Sequence, residues 1–174
     1  MVPQILAALV MAMKKGLRLP LVYNTGGYDA LETLALLGGV LDIYIPDMKY
    51  ADVGHGRRLS GVKEYPRHNR QAVAEMYRQV GHLVGDERGI AVRGLLVRHL
   101  VMPAGVAGSA EVLRFVAEEV APRTYVNVMD QYRPQHRAYA YPAVDRRPRT
   151  SEIRAAENEA RAQGSRLDGC GLDP

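Results

Sequence analysis

The chain has 174 residues, of which 47% are hydrophobic and 24% are charged, values typical of a globular protein with one sizeable core. No apolar run approaches the ~20 residues that span a bilayer, so we expect no membrane partner and a cytoplasmic location. The single cysteine, Cys170, excludes a disulfide framework and any zinc or iron–sulfur site that takes all its ligands from this chain.

Helical patterns and apolar runs alternate along the chain in the order α-β-α-β-α-β-α-β-loop-α. The opening stretch MVPQILAALVMAMKK lacks a basic start and predicts a helix rather than a signal peptide. Apolar spacing predicts helices at 2–15, 28–37, 70–84, 109–120 and 151–163, and strands at 19–24, 41–46, 94–103 and 124–132. The polar stretch 54–69 predicts a long loop, and residues 166–174 are expected to fray.

This alternation predicts an α/β fold with right-handed βαβ units and a parallel sheet. We assign residues 1–145 to one α/β domain and residues 146–174 to a basic C-terminal segment with one helix and a frayed tail. The run RRPR at 146–149 indicates either a solvated basic surface or a site for an anionic partner. No base-stacking motif is present, so nucleic acid is not expected as a partner.

Polar residues gather at the ends of the four predicted strands. In chain order they are Asn24 and Thr25, then Asp47 and Lys49, then Arg98, and finally Gln131. Ligands of parallel α/β sheets and barrels bind at the carboxyl ends of the strands. The set therefore predicts a site for a ligand that carries a carboxylate, an amino group and hydroxyls.

Asp47 and Lys49 stand two residues apart, so their side chains are expected to share one face of the strand. They form either part of a ligand site or a local ion pair, and Asn24 and Thr25 form either part of that site or only a turn. Arg98 lies within an apolar strand, where an unpaired charge is costly. His99 points to the opposite face and is expected to be a hydrogen-bonded core residue.

Four stretches resemble a known family in their order and spacing: LPLVYNTGGY, LDIYIPDMKY, RGLLVRHLVMPAG and YVNVMDQYRP. Together they resemble the later part of radical S-adenosylmethionine (SAM) proteins, in the group similar to the pyruvate formate-lyase activating enzyme. The resemblance covers about residues 2–142. It implies a partial, open (β/α) barrel of the radical SAM type, with about four parallel strands and outer helices.

The resemblance also implies a function, the binding of SAM for its reductive cleavage and for hydrogen abstraction from a small molecule or a protein substrate. Asn24, Thr25 and Asp47 would help to hold the methionyl amino end of SAM and a nearby cation. Lys49 and Arg98 would hold its other polar parts, and the fourth strand, with Gln131, would close on the nucleoside.

The sequence departs from the family at three points. Asn24 stands where the activating enzymes have an acid, and Tyr132 stands where they have a histidine. The loop C-x-x-x-C-x-x-C, which binds the [4Fe–4S] cluster, is absent together with the GGE strand end, so this chain supplies no ligand set for that cluster. We therefore interpret the chain as the C-terminal two-thirds of such a protein, a truncated product or one with a misassigned start.

Two other classes of function stay open. The first is a non-catalytic, degenerate α/β module that binds a ligand or a partner. The second is a different βα-barrel enzyme that uses Asp47 and Lys49 as acid and base.

Overall fold

A computed structural model describes residues 2–167. The strands in this range are β1 (Val22–Thr25), β2 (Ile43–Met48), β3 (Val84–Gly85), β4 (Ala91–Leu100), β5 (Tyr125–Met129) and β6 (Arg166–Leu167). The α-helices are α1 (Val2–Lys14), α2 (Leu31–Leu37), α3 (Val53–Ser60), α4 (Tyr65–Val80), α5 (Ser109–Phe115) and α6 (Thr150–Ala162). A π-helical turn at Val116–Val120 extends α5.

The strands form one sheet in the order β1-β2-β4-β5-β6, with every pair on this path parallel. The short β3 pairs antiparallel with β4. Along the chain, each new parallel strand adds to the same edge of the sheet. Because the crossovers between such strands are right-handed, the connecting helices lie on one face of the sheet. The prediction of an α/β fold with a parallel sheet and flanking helices is therefore confirmed.

The main core lies between the sheet and these helices. Along each strand, the residues that belong to this core alternate with residues that point to the opposite face of the sheet. The buried core includes Tyr44, Met48, Leu95, Val97 and Val126 from the strands and Leu34, Val73, Met76, Val112, Leu113 and Ala160 from the helices.

The opposite face of the sheet carries only a small apolar cluster. Ile43, Leu83 and Tyr125 are buried there, and Ile45 and Leu96 pack against them. Asp47 follows Ile45 by two residues, and Arg98 follows Leu96 by two, so both belong to this less covered face. The candidate site therefore lies on the side of the sheet away from the main core.

The prediction of a long loop at 54–69 is wrong, because α3 and the first turn of α4 occupy it. The Asp52 side chain accepts a hydrogen bond from the His55 backbone N–H and begins α3, and Gly61, with φ 67°, ends it. Gly54 and Gly56 lower the helix propensity of this stretch. Tertiary packing outweighs that cost, since Gly56 lies against Tyr65.

The expected fraying is also wrong for Arg166 and Leu167, which are buried and pair with β5. Residues 168–174, including Cys170, lie outside the described range.

In the basic run at 146–149, Arg146 donates two hydrogen bonds to the Glu152 carboxylate, at 2.8 and 2.9 Å. This arginine therefore anchors the start of α6 instead of being freely solvated.

Between residues 2 and 167, no helix combines the length and the apolar character that crossing a bilayer requires.

His99 is a buried core residue on the helix side, as the sequence predicted. Its Nδ1 lies 2.9 Å from the carbonyl oxygen of Met48, and its Nε2 lies 2.8 Å from the hydroxyl of Ser109. A carbonyl can only accept, so Nδ1 carries the proton and Nε2 accepts from Ser109 in the neutral ring. Burial lowers the pKa of His99 to about 4, although the bond to Met48 acts in the opposite direction.

This environment predicts a loss of stability in acid. Between pH 6.5 and about 4 the unfolded chain binds a proton at His99 that the folded chain does not bind, so acidification favours unfolding. The contribution is about 3 kcal/mol across this window, because one pKa unit corresponds to about 1.4 kcal/mol. Urea unfolding at several pH values should show that His99→Gln flattens this dependence while exposed His68→Gln does not. Equal pH dependence in both variants would contradict the assignment.

Candidate functional site

Three charged side chains meet at the carboxyl ends of β2 and β4. The Arg98 guanidinium binds one oxygen of Asp47, with Nη2 at 2.6 Å and Nε at 2.7 Å. Lys49 Nζ binds the other oxygen at 2.9 Å. Asp47 and Arg98 are register partners in the parallel pair β2–β4, which places them side by side. The structure therefore confirms that Asp47 and Lys49 face the same side, and it adds Arg98 to the cluster.

The cluster has one carboxylate and two cations, and the cations are the more exposed. The Asp47 side chain is 10% exposed, against 35% for Lys49 and 29% for Arg98. A buried carboxylate without partners would be costly, so the two cations satisfy Asp47. One positive charge remains in excess on the solvent side. This arrangement can accept the carboxylate of a ligand without breaking its internal contacts.

Asn24 and Thr25 face opposite sides of β1. Asn24 is exposed and pairs in register with Ile45, so it lies on the face that carries Asp47. Its side chain makes no hydrogen bond with another residue of the described range. The Thr25 hydroxyl donates to Asp29 at 2.6 Å and accepts from the Gly27 backbone N–H at 3.2 Å. The structure thus gives Thr25 a role in the turn and leaves Asn24 beside the charged cluster.

Gln131 lies beyond the end of β5 and is exposed. Its Nε2 lies 3.5 Å from the Met129 sulfur, and within residues 2–167 no hydrogen bond joins it to Asp47, Lys49 or Arg98. The residue that faces Arg98 from β5 is Asn127, its register partner. The structure therefore brings three of the six predicted site residues into contact and places Asn24 on the same face.

Two buried residues of α4 hold the backbone of this site, and the sequence prediction missed both. Asn69 Nδ2 donates to the carbonyl oxygens of Gly27 and Asp47, each at 2.9 Å. The Tyr65 hydroxyl accepts from the Lys49 backbone N–H at 3.1 Å and lies 3.2 Å from the Asp47 carbonyl oxygen. Burial raises the pKa of Tyr65, so it stays a neutral donor. We call Tyr65 and Asn69 the α4 clamp.

The α4 clamp explains the second of the two glycines after β1, Gly27. Gly27 has φ 74°, and a Cβ at this position would collide with Asn69 Nδ2 and the Asp47 carbonyl oxygen. Only glycine fits such an approach in that conformation. Gly27 was a visible signal of this close approach, whereas Asn69 gave none, because its partners lie 42 and 22 residues away in sequence.

The comparisons with known proteins give one relative. No family model matches the chain. Over 139 residues, which make up 79% of this chain, it is 34% identical to the uncharacterized protein MJ0674 of Methanocaldococcus jannaschii. The chain spans 37% of the length of that protein. The similarity therefore shows a related sequence without supplying an activity.

The α4 clamp predicts that replacing the buried, uncharged Asn69 strongly lowers the stability of the fold. Asn69→Ala removes the side-chain donor to the Gly27 carbonyl oxygen and leaves the Asp47 carbonyl oxygen with Tyr65 as its side-chain donor, which should lower the free energy of unfolding by about 2 kcal/mol. Chemical denaturation measures this value. Asn158→Ala, the same change on the exposed face of α6, should shift stability by less than about 0.5 kcal/mol. A similar small effect at both positions would refute the role of the clamp.

Proposed function

We propose that this chain is the SAM-binding portion of a radical SAM protein similar to the pyruvate formate-lyase activating enzyme. The observation that carries the proposal is the excess positive charge of the Asp47–Lys49–Arg98 cluster at the carboxyl edge of a parallel sheet. Ligands of such sheets bind at this edge. The single direction of the strand order and the helices on one face also agree with an open, partial (β/α) barrel.

The cluster and the amino acid end of SAM complement each other in charge. Lys49 and Arg98 would donate to the SAM carboxylate. Asp47 orients both cations, and the remaining lone pair on the oxygen that Lys49 contacts would accept from the SAM ammonium. The Asn24 amide, on the neighbouring strand and the same face, would add one polar contact. Each charge-assisted hydrogen bond of this kind contributes roughly 1.5–3 kcal/mol.

The cluster chemistry of the family does not fit this chain. A [4Fe–4S] cluster is held by cysteine thiolates, and the sequence contains one cysteine. Within residues 2–167, no three His, Cys, Asp or Glu side chains gather in a way that could hold a metal ion. The proposal for this chain is therefore SAM binding, with reductive cleavage and hydrogen abstraction from a small molecule or a protein as the activity of the radical SAM class. The alternative is a non-catalytic, degenerate α/β module that binds a ligand or a partner.

The proposal predicts which substitutions weaken SAM binding. Asp47→Ala and Arg98→Ala should each raise the dissociation constant about tenfold or more, since 1.4 kcal/mol corresponds to one decade. Arg93→Ala is the matched control, because Arg93 lies on the same strand and donates to the Gln79 carbonyl oxygen instead. His99→Ala should change stability more than affinity. Calorimetric titration of SAM into each variant gives the constants.

Two results would count against the proposal. The first is the absence of measurable SAM binding by the unsubstituted chain. The second is an equal loss for Arg93→Ala and Arg98→Ala, which would show that the effect is general electrostatics and that the cluster at Asp47 is a structural ion pair.

A further inference from the structure

A cavity of about 480 Å³ lies on the carboxyl side of the sheet, and Asp47, Lys49 and Arg98 do not line it. It opens between α3 and the connection from β5 to α6. Its volume falls within the range of small-molecule sites, roughly 300–1,000 Å³. Its floor belongs to a further apolar cluster, distinct from the main core and from the small cluster around Ile43, and is aromatic in part. The floor residues are Tyr50, Met102, Tyr132, Tyr141 and Val144.

Four arginines line the cavity, and we call it the arginine cavity. Arg57 and Arg58 come from the last turn of α3, and Arg133 and Arg137 come from the connection after β5. No Asp or Glu of the described residues lines it. None of the four arginines forms an ion pair within residues 2–167.

The four arginines leave an excess of positive charge around the cavity. All four are exposed, so solvent screens their mutual repulsion, but no carboxylate of the described residues offsets their charge there. By comparison, Arg78, Arg88 and Arg146 each pair with a carboxylate. The arginine cavity therefore has the charge distribution of a site for an anion.

The aromatic floor adds a second requirement on the ligand. The Arg58 guanidinium carbon lies 6.0 Å from the centre of the Tyr141 ring, at the junction of the floor and the charged rim. At the rim, His136 has φ 49°, a left-handed conformation that is uncommon outside glycine. Strained backbone of this kind concentrates at binding sites.

We propose that the arginine cavity binds a small molecule with phosphate groups on an aromatic body, of which a nucleotide is the simplest example. Four guanidiniums call for more negative charge than one carboxylate supplies, and guanidinium binds phosphate through two parallel hydrogen bonds. The tyrosine rings and Met102 would pack against the aromatic body. This inference is independent of the SAM site, because the two sites share none of their charged residues.

The experiment uses the whole chain and ATP as the probe. Calorimetric titration should show one ATP bound per chain. Adenosine and inorganic tripolyphosphate, which each carry half of the recognised features, should bind at least about tenfold more weakly. Arg58→Gln and Arg137→Gln, on the two sides of the cavity, should each weaken ATP binding about tenfold. Thermal melts should show that these exposed substitutions leave the fold intact.

The control is Arg88→Gln, which removes the same charge from a side chain that is 82% exposed and paired with Asp86. It should leave ATP binding unchanged, and SAM should not displace ATP. Equal weakening by Arg88→Gln, displacement by SAM or no ATP binding would each overturn the proposal. Citrate binding as tight as that of ATP would refute the phosphate assignment. Tighter binding of a single-stranded RNA, lost in the same variants, would point to nucleic acid instead.

Discussion

The site depends on one carboxylate, that of Asp47, which holds two cations at the edge of a parallel sheet. Arg98 reaches it from the neighbouring strand and Lys49 from the end of its own strand. The contact ties β2 to β4 through side chains as well as through the backbone ladder. Because Asp47 is buried, removing either cation leaves its charge less compensated, so the three groups act as a unit.

The backbone around Asp47 is fixed from the opposite side by the α4 clamp. Its carbonyl oxygen accepts from Asn69, and the backbone N–H of Lys49 donates to Tyr65. The same Asn69 amide holds Gly27, so the ends of β1 and β2 share one anchor. The side chains of the cluster are therefore presented by a strand end that has little freedom to move. Such rigidity lowers the entropic cost of binding a ligand.

The sequence predicted the features that depend on local pattern. Apolar runs located four strands of the sheet, and the two-residue period placed Asp47 and Lys49 on one face. The same period shows why Asn24 and Thr25, as neighbours in a strand, do not serve one site together. The helix α3 was missed because Gly54 and Gly56 resemble loop residues, although Asp52 and Gly61 supply its caps. Asn69 was not predictable, since its role depends on partners distant in the chain.

The central claim is that Lys49 and Arg98 recognise the carboxylate of SAM. The most direct test compares the affinity of the unsubstituted chain for SAM with its affinity for decarboxylated SAM, which keeps the ammonium, the sulfonium and the nucleoside. Removal of the ligand carboxylate leaves the excess positive charge of Lys49 and Arg98 without an anion from the ligand, although both stay paired with Asp47. We predict a loss of affinity of about tenfold or more. Equal affinity for the two ligands would contradict the account.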